Sequence, residues 1–178
     1  YQIDRIRRQY ELFAAALGTE FRLEEYHREA EQTVRELQEV CKGKSFAVGQ
    51  VVNGNPLEMA LALLKMGFEV KSVFAAITEE DYPYIREIGE YNPALRIYST
   101  LSPTMMNYDG DQDVDISIGT DAAFYYPKSV NVKWNDEIQP FGYRGLKHFA
   151  NEVAATWKQA AAAAGKAADD AEMNETKE

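Results

Sequence analysis

The spacing of apolar positions gives the chain two textures. Over residues 1–17, Ile3, Ile6, Tyr10, Phe13 and Ala14 recur at helical spacing, and Gly18 supplies a stop. Residues 22–41 predict a second helix. Its thin apolar stripe (Phe21, Tyr26, Ala30, Val34, Leu37, Val40) runs between faces of alternating Glu and Arg, a solvated pattern with local ion pairs. From Ser45 the period changes. Ser45–Val52 is a short apolar run between turn signals, which reads as a buried strand. Asn53-Gly54 turns the chain. Asn55 stands as an N-cap with Pro56 at the first helical position and Glu58 three residues on, and this helix stops at Gly67.

The cycle then repeats. Glu69–Ile77 reads as a strand, and Thr78 caps a helix over about 79–91. Leu95–Ser99 is a third strand, 100–112 a loop or short helix, Val114–Ile118 a fourth strand and Val130–Val132 a short fifth. A last helix starts at Gly142 and runs to Ala160 or somewhat beyond. Strands alternating with helices at this spacing imply right-handed crossovers. The expected fold class is therefore α/β: a doubly wound, mainly parallel sheet of four to five strands with helices on both faces, preceded by two helices. The expected organisation is a helical segment over 1–43, a Rossmann-like unit over 44–160 and an acidic, disordered tail over 161–178, where no apolar stripe follows Trp157.

Composition narrows the partners. A formal net charge of -10 argues against a nucleic-acid surface, which needs clustered Lys and Arg. The sequence contains no run of 18 or more apolar residues to span a bilayer and opens on no signal peptide, so no membrane role is expected. The single cysteine, Cys41, cannot form an internal disulfide, and the simplest compartment is the cytoplasm. Because the sequence opens on Tyr1 in mid-helix pattern, it reads as a piece of a longer protein.

Self-contained chemistry is hard to assemble. The glycines of Val48-Gly49-Gln50-Val51-Val52-Asn53-Gly54 match neither a dinucleotide fingerprint nor a P-loop. The acidic run from Asp109 to Asp115 has Val114 or Ile116 where a calcium loop needs Gly, and Thr120 or Ala122 where it needs Glu. Glu24-x-x-His27 has the spacing of a di-iron helix motif, but Gly145 precedes His148 by three, so no second copy exists. Cys41 lies beside Lys42 and Lys44, which would lower a thiol pKa, though a lone cysteine at a helix end is usually structural. His148 sits among apolar helix positions and reads as packing. In open parallel sheets, ligands bind beyond the carboxyl ends of the strands. The small polar residues expected there are Asn53, Gly54, Asn55, Thr78, Ser102, Gly119 and Thr120, with Lys133 and Asn135 after the fifth strand.

The order of motifs resembles the C-terminal region of nitrogenase component 1-type proteins. The residues that carry the resemblance are Cys41-Lys42-Gly43-Lys44-Ser45-Phe46-Ala47-Val48, Leu63-Leu64-Lys65-Met66-Gly67-Phe68-Glu69-Val70, Asp113-Val114-Asp115-Ile116-Ser117-Ile118-Gly119 and Pro140-Phe141-Gly142-Tyr143-Arg144-Gly145. The resemblance covers about residues 1–157. It implies a multidomain parent that pairs with a homologous component 1-type subunit and takes electrons from an ATP-dependent iron-sulfur reductase. It also implies an iron-sulfur or related metal cluster in the parent and none in this segment alone, since the relay-cluster cysteines lie in the family's first domain. Two positions depart from the catalytic subunits. Val132 stands where they carry a metal-ligating histidine, although Trp134 matches, and Asn55 stands where they carry an arginine. The nine polar candidates above would then line one wall of a cluster or substrate pocket and position its occupant by hydrogen bonds. The alternatives are a non-catalytic scaffold for metal-cofactor assembly, or a small-ligand-binding α/β domain.

Overall fold

A computed structural model describes residues 1–108, 110, 112–135 and 141–175, with side chains to residue 167. Two helices come first, α1 (Ile3–Leu17) and α2 (Glu24–Val40). The strand-helix cycle follows: β1 (Ser45–Val48), α3 (Pro56–Lys65), β2 (Glu69–Ala75), α4 (Tyr82–Tyr91), β3 (Arg96–Ser99), β4 (Ile116–Ile118), α5 (Ala122–Tyr125), β5 (Val130–Val132) and α6 (Gly142–Glu175). Short 3₁₀ segments lie at Glu79–Asp81 and Pro103–Asn107. The five strands form one sheet in the order β3-β2-β1-β4-β5, and all four pairings are parallel. The order reverses between β1 and β4, which makes their carboxyl ends the switch point of the sheet.

Local signals explain most boundaries. Gly18 (φ 62°) returns its N–H to the Ala14 and Ala15 carbonyls and ends α1. The Asn55 side chain accepts from the Leu57 and Glu58 N–H groups and starts α3. Three expectations are corrected. β1 stops at Val48 rather than Val52, because after Gly49 donates to Ile118 of β4 the N–H groups of Gln50 and Val51 turn to the Asp121 carboxylate instead of a neighbouring strand. Thr78 caps a 3₁₀ segment through a reciprocal pair with Asp81, and α4 begins only at Tyr82. Helix α5, four residues long, is not anticipated by any periodicity. Helix α6 runs past Ala160 to Glu175; the alanines at 161–164 and 167 are exposed, so intrinsic helix propensity rather than packing favours helix there.

The two sheet faces are covered differently. One face carries Phe46, Val48, Val70, Val73, Ile116, Ile118 and Val132 and packs beneath α3, α4 and α6, with α2 along α6. Phe149, Leu146 and Val153 of α6 are fully or almost fully buried in this core. The opposite face carries Ala47, Phe74 and the polar Ser72, Ser117 and Asn131. Its cover is the 3₁₀ segment at 103–107, α5 and a group of tyrosines.

Candidate functional site

The loop after β1 meets α1 and the mouth of α6 at a cleft of about 240 Å³, with Glu58 of α3 and Tyr84 of α4 also on its wall. Asn53 and Gly54 line it from the loop after β1, Arg5 and Gln9 from α1, and Gly142 and Gly145 from α6. Asn53 is buried, and its main chain is held from two sides. Its N–H donates to the Trp134 carbonyl (2.9 Å), and its carbonyl accepts from the Tyr1 hydroxyl (2.7 Å). That hydroxyl in turn accepts from the Trp134 indole N–H (2.8 Å). Trp134 itself has φ 36°, a left-handed conformation uncommon for a bulky residue, and is 2% exposed. Trp134 is thus the residue that locks the Asn53 loop onto the end of β5. In the sequence it stands out only through the family resemblance.

Gly142 has a packing reason for being glycine. Its φ is 60°, and a Cβ there would collide with the Tyr10 hydroxyl and meet its ring carbons at 3.0 Å. Tyr10 stacks on Tyr143, at 5.7 Å between ring centres, and the Tyr143 hydroxyl meets His27 Nδ1 at 3.1 Å. The glycine mouth of α6 therefore seats α1 and α2 and lines the cleft at the same time.

The switch point between β1 and β4 is filled by the chain's own carboxylate. Asp121 accepts from the N–H groups of Gln50 and Val51, both at 2.9 Å. A Cβ at Gly49 would strike its Oδ1, so Gly49 permits the close approach. Backbone N–H groups that could hold an external anion are satisfied internally. Gly119, buried, and Thr120, exposed, belong to this locked turn: Gly119 N–H donates to Val132 and Thr120 N–H to Val51.

The remaining candidates divide. The Asn55 side-chain amide donates to Asp81 (2.7 Å), whose other oxygen accepts from the Thr78 N–H (2.9 Å) and hydroxyl (3.1 Å), so Asn55 and Thr78 form one bridge across two loops. Burial alone would raise the Asp81 carboxyl, but these hydrogen bonds outweigh it and hold the group below the usual carboxylate value. Ser102 bonds Thr104 at 2.8 Å. Lys133 and Asn135 are exposed and do not line the cleft. Of the nine, only Asn53 and Gly54 line it.

The cleft offers amides, a guanidinium stacked on Tyr84 (5.1 Å), and one carboxylate. That carboxylate, Glu58, already accepts from the Tyr1 nitrogen (2.8 Å) and from Gln2. Cys41 is fully buried, and burial pushes its thiol up to about 11 against the pull of Lys158 and Lys44, which keeps it protonated and inert. His148, expected to be packed, is exposed and lies against Trp134. Val132, at the family's histidine position, is in the core. Among the described residues no group of three or more His, Cys, Asp or Glu side chains gathers to hold a metal ion. The donor set fits placement of a ligand by hydrogen bonds, and it does not fit ligation of a metal cluster.

The architecture is that of an open, doubly wound parallel sheet with a cleft at its carboxyl edge. It is similar to a solved structure of nitrogenase Cp1 at pH 6.5, with a TM-score of 0.67 and 15% sequence identity over 89% of this chain. The chain spans 38% of the length of that protein. The fold is nitrogenase-like. No protein-family model matches the sequence, and no curated protein matches it either. Among the described residues no helix is long and apolar enough to cross a membrane.

Proposed function

We propose that this chain is part of a nitrogenase-like oxidoreductase subunit, and that its carboxyl-edge cleft forms one wall of a metal-cluster or substrate pocket. The observation that carries this reading is the fold match over 89% of the chain, with the glycine mouth of α6 and the Asn53-Gly54 loop meeting at the cleft. The parent protein would hold an iron-sulfur or related cluster with ligands from outside this segment. It would pair with a homologous subunit and receive electrons from an ATP-dependent iron-sulfur reductase. The role of Arg5, Gln9 and the Asn53 loop is to orient the occupant and exclude water, with no nucleophilic step assigned to them.

A second reading, a scaffold for metal-cofactor assembly, is favoured by Val132: an apolar core residue at the histidine position leaves a cofactor less firmly anchored and more readily exchanged. The deciding experiment uses the full-length protein purified without oxygen. Iron and acid-labile sulfide are measured first, then reductase- and ATP-dependent turnover. Cluster with turnover supports the oxidoreductase. Cluster that transfers to an acceptor protein without turnover supports the scaffold. No iron after reconstitution sinks both and leaves a small-ligand-binding α/β domain.

A further inference from the structure

A second hollow lies between the start of α1, α2, the end of α3 and α4, away from the Asn53 loop and the mouth of α6. Its volume is about 500 Å³, within the range of small-molecule pockets. Part of its wall is apolar: Ala62 of α3 and Met66 just beyond that helix are buried, and Val34 of α2 is half-buried. Its charged side chains are Arg5, Arg8, Arg35 and Lys65 against Asp4, Glu31 and Glu87, a cationic surplus in a chain of net charge -10. The charges do not cancel evenly. Lys65 takes Glu87 at 2.5 Å. Glu31 is shared between His27 Nε2 at 3.6 Å and Arg35 at 4.0 Å. The nearer partner of Arg35 is neutral, the Gln32 amide oxygen at 3.2 Å. Arg5 lies on the Tyr84 ring and also faces the first cleft. Arg8 is exposed and has no hydrogen bond, ion pair or ring contact among the described residues.

We propose that this hollow binds a small organic monoanion, a carboxylate on an apolar body of about six to eight carbons. Its wall and its charges select different halves of that ligand. Val34, Ala62 and Met66 offer apolar surface that an aliphatic or ring body covers favourably, and their side chains leave a polar body without hydrogen bonds. Arg8 supplies a planar fork of donors that matches a carboxylate bidentately. Arg35 adds positive potential from α2. One surplus positive charge suits one negative charge. A second negative charge would have to compete for Lys65 with Glu87, and a cationic ligand would meet Arg8 and Arg35. A neutral molecule of the same size would leave Arg8 without a partner. Asp4, exposed and four residues before Arg8 on α1, opposes the anion and limits its affinity. This inference does not rest on the reading of the cleft.

The test is calorimetric titration of octanoate into the full-length protein, with 1-octanol and acetate as the two halves of the ligand. Saturable octanoate binding is expected, with each half about tenfold weaker or more. Arg8→Gln with Arg35→Gln should weaken octanoate about tenfold and leave 1-octanol unchanged. Asp4→Asn should tighten octanoate up to about threefold by removing the opposing charge. All three side chains are exposed, so far-UV circular dichroism and melting should match the parent in every variant. Four results overturn the proposal. The first is no octanoate binding by the full-length protein, as when another part of the polypeptide fills the hollow. The second is octanoate binding no tighter than 1-octanol, which would leave apolar contact alone. The third is an affinity unmoved by Arg8→Gln with Arg35→Gln. The fourth is weaker binding in Asp4→Asn, which would mean that Asp4 holds the ligand instead of opposing it.

Discussion

The two faces of the sheet are built on opposite principles. The face beneath α3, α4 and α6 is an aliphatic core with Phe46 and Phe149 fully buried, and long helices seal it. The other face is aromatic and polar. Phe74 lies between Tyr98 (5.0 Å between centres) and Tyr125 (4.0 Å), and Ser72, Tyr126 and Tyr108 form a hydroxyl chain with links of 2.6 and 2.9 Å. Ser117, Ser129 and Asn131 continue the polar layer. The lesson is that a thin cover of one 3₁₀ segment and a four-residue helix can seal a sheet if tyrosines supply both area and hydrogen bonds.

Deletions of equal size should separate the two faces most strongly. Phe46→Ala is expected to cost about 4–5 kcal/mol, because the helices around it cannot close on the cavity. Phe74→Ala is expected to cost about 3 kcal/mol, because the short segments over it can settle. Chemical denaturation of the two variants measures both values. Equal costs would mean the thin cover is as rigid as the helical one, and the contrast would fail.

Hydroxyl deletions test the second half of the contrast. Tyr126→Phe removes the link between Ser72 and Tyr108 and leaves a buried hydroxyl without its partner, at a cost of about 1–3 kcal/mol. Tyr143→Phe, on the helical side, breaks only a part-buried bond to His27 and should cost about 1 kcal/mol or less. If Tyr126→Phe melts like the parent, ring area alone holds the polar face. Gly142→Ala is expected to cost about 1–2 kcal/mol, from the positive φ and from displacing Tyr10, with thermal melting as the readout.

The same contrast explains what was legible in the sequence. The helical face announces itself through period: the strand-helix cycle, the Asn55 cap and the stops at Gly18 and Gly67 are local signals, and the structure has them. The tyrosine face has no period to read. Tyr98, Tyr108, Tyr125 and Tyr126 come from separate segments, and α5 is too short for a moment to develop. The site was half legible for a related reason. Any strand-end loop could be named as a candidate, but what fills it is decided at long range. Asp121 captures the N–H groups of Gln50 and Val51 from 70 residues away or more, which converts an expected ligand-binding loop into a sealed turn. Arg5 and Gln9 reach the cleft from a helix that the strand-end rule does not consider.

The smallest effect expected is a pH dependence that assigns the loops and the tyrosines to opposite ends of the scale. Asp81 and Asp115 have carboxyls held below their ordinary value. In both, burial pulls upward and is outweighed, at Asp81 by Thr78 and Asn55, at Asp115 by the Ser45 N–H, its hydroxyl and Lys44. A depressed carboxyl stabilises the fold above its unfolded value and loses that contribution as pH falls through the folded one, so the acid limb should begin below about pH 4. Burial raises Tyr98, Tyr108 and Tyr125 on the polar face, as it raises Tyr1 and Tyr143 on the other. A raised phenol stabilises the fold below its unfolded value and loses this as pH rises through the folded one, so the alkaline limb should begin near pH 10. Asp81→Asn should flatten the acid limb and leave the alkaline limb in place, and Tyr108→Phe should do the reverse. Denaturation midpoints from pH 3 to 11 measure both limbs. An acid limb unchanged by Asp81→Asn would remove the loop bridge from the account of stability and leave the two faces to carry it alone.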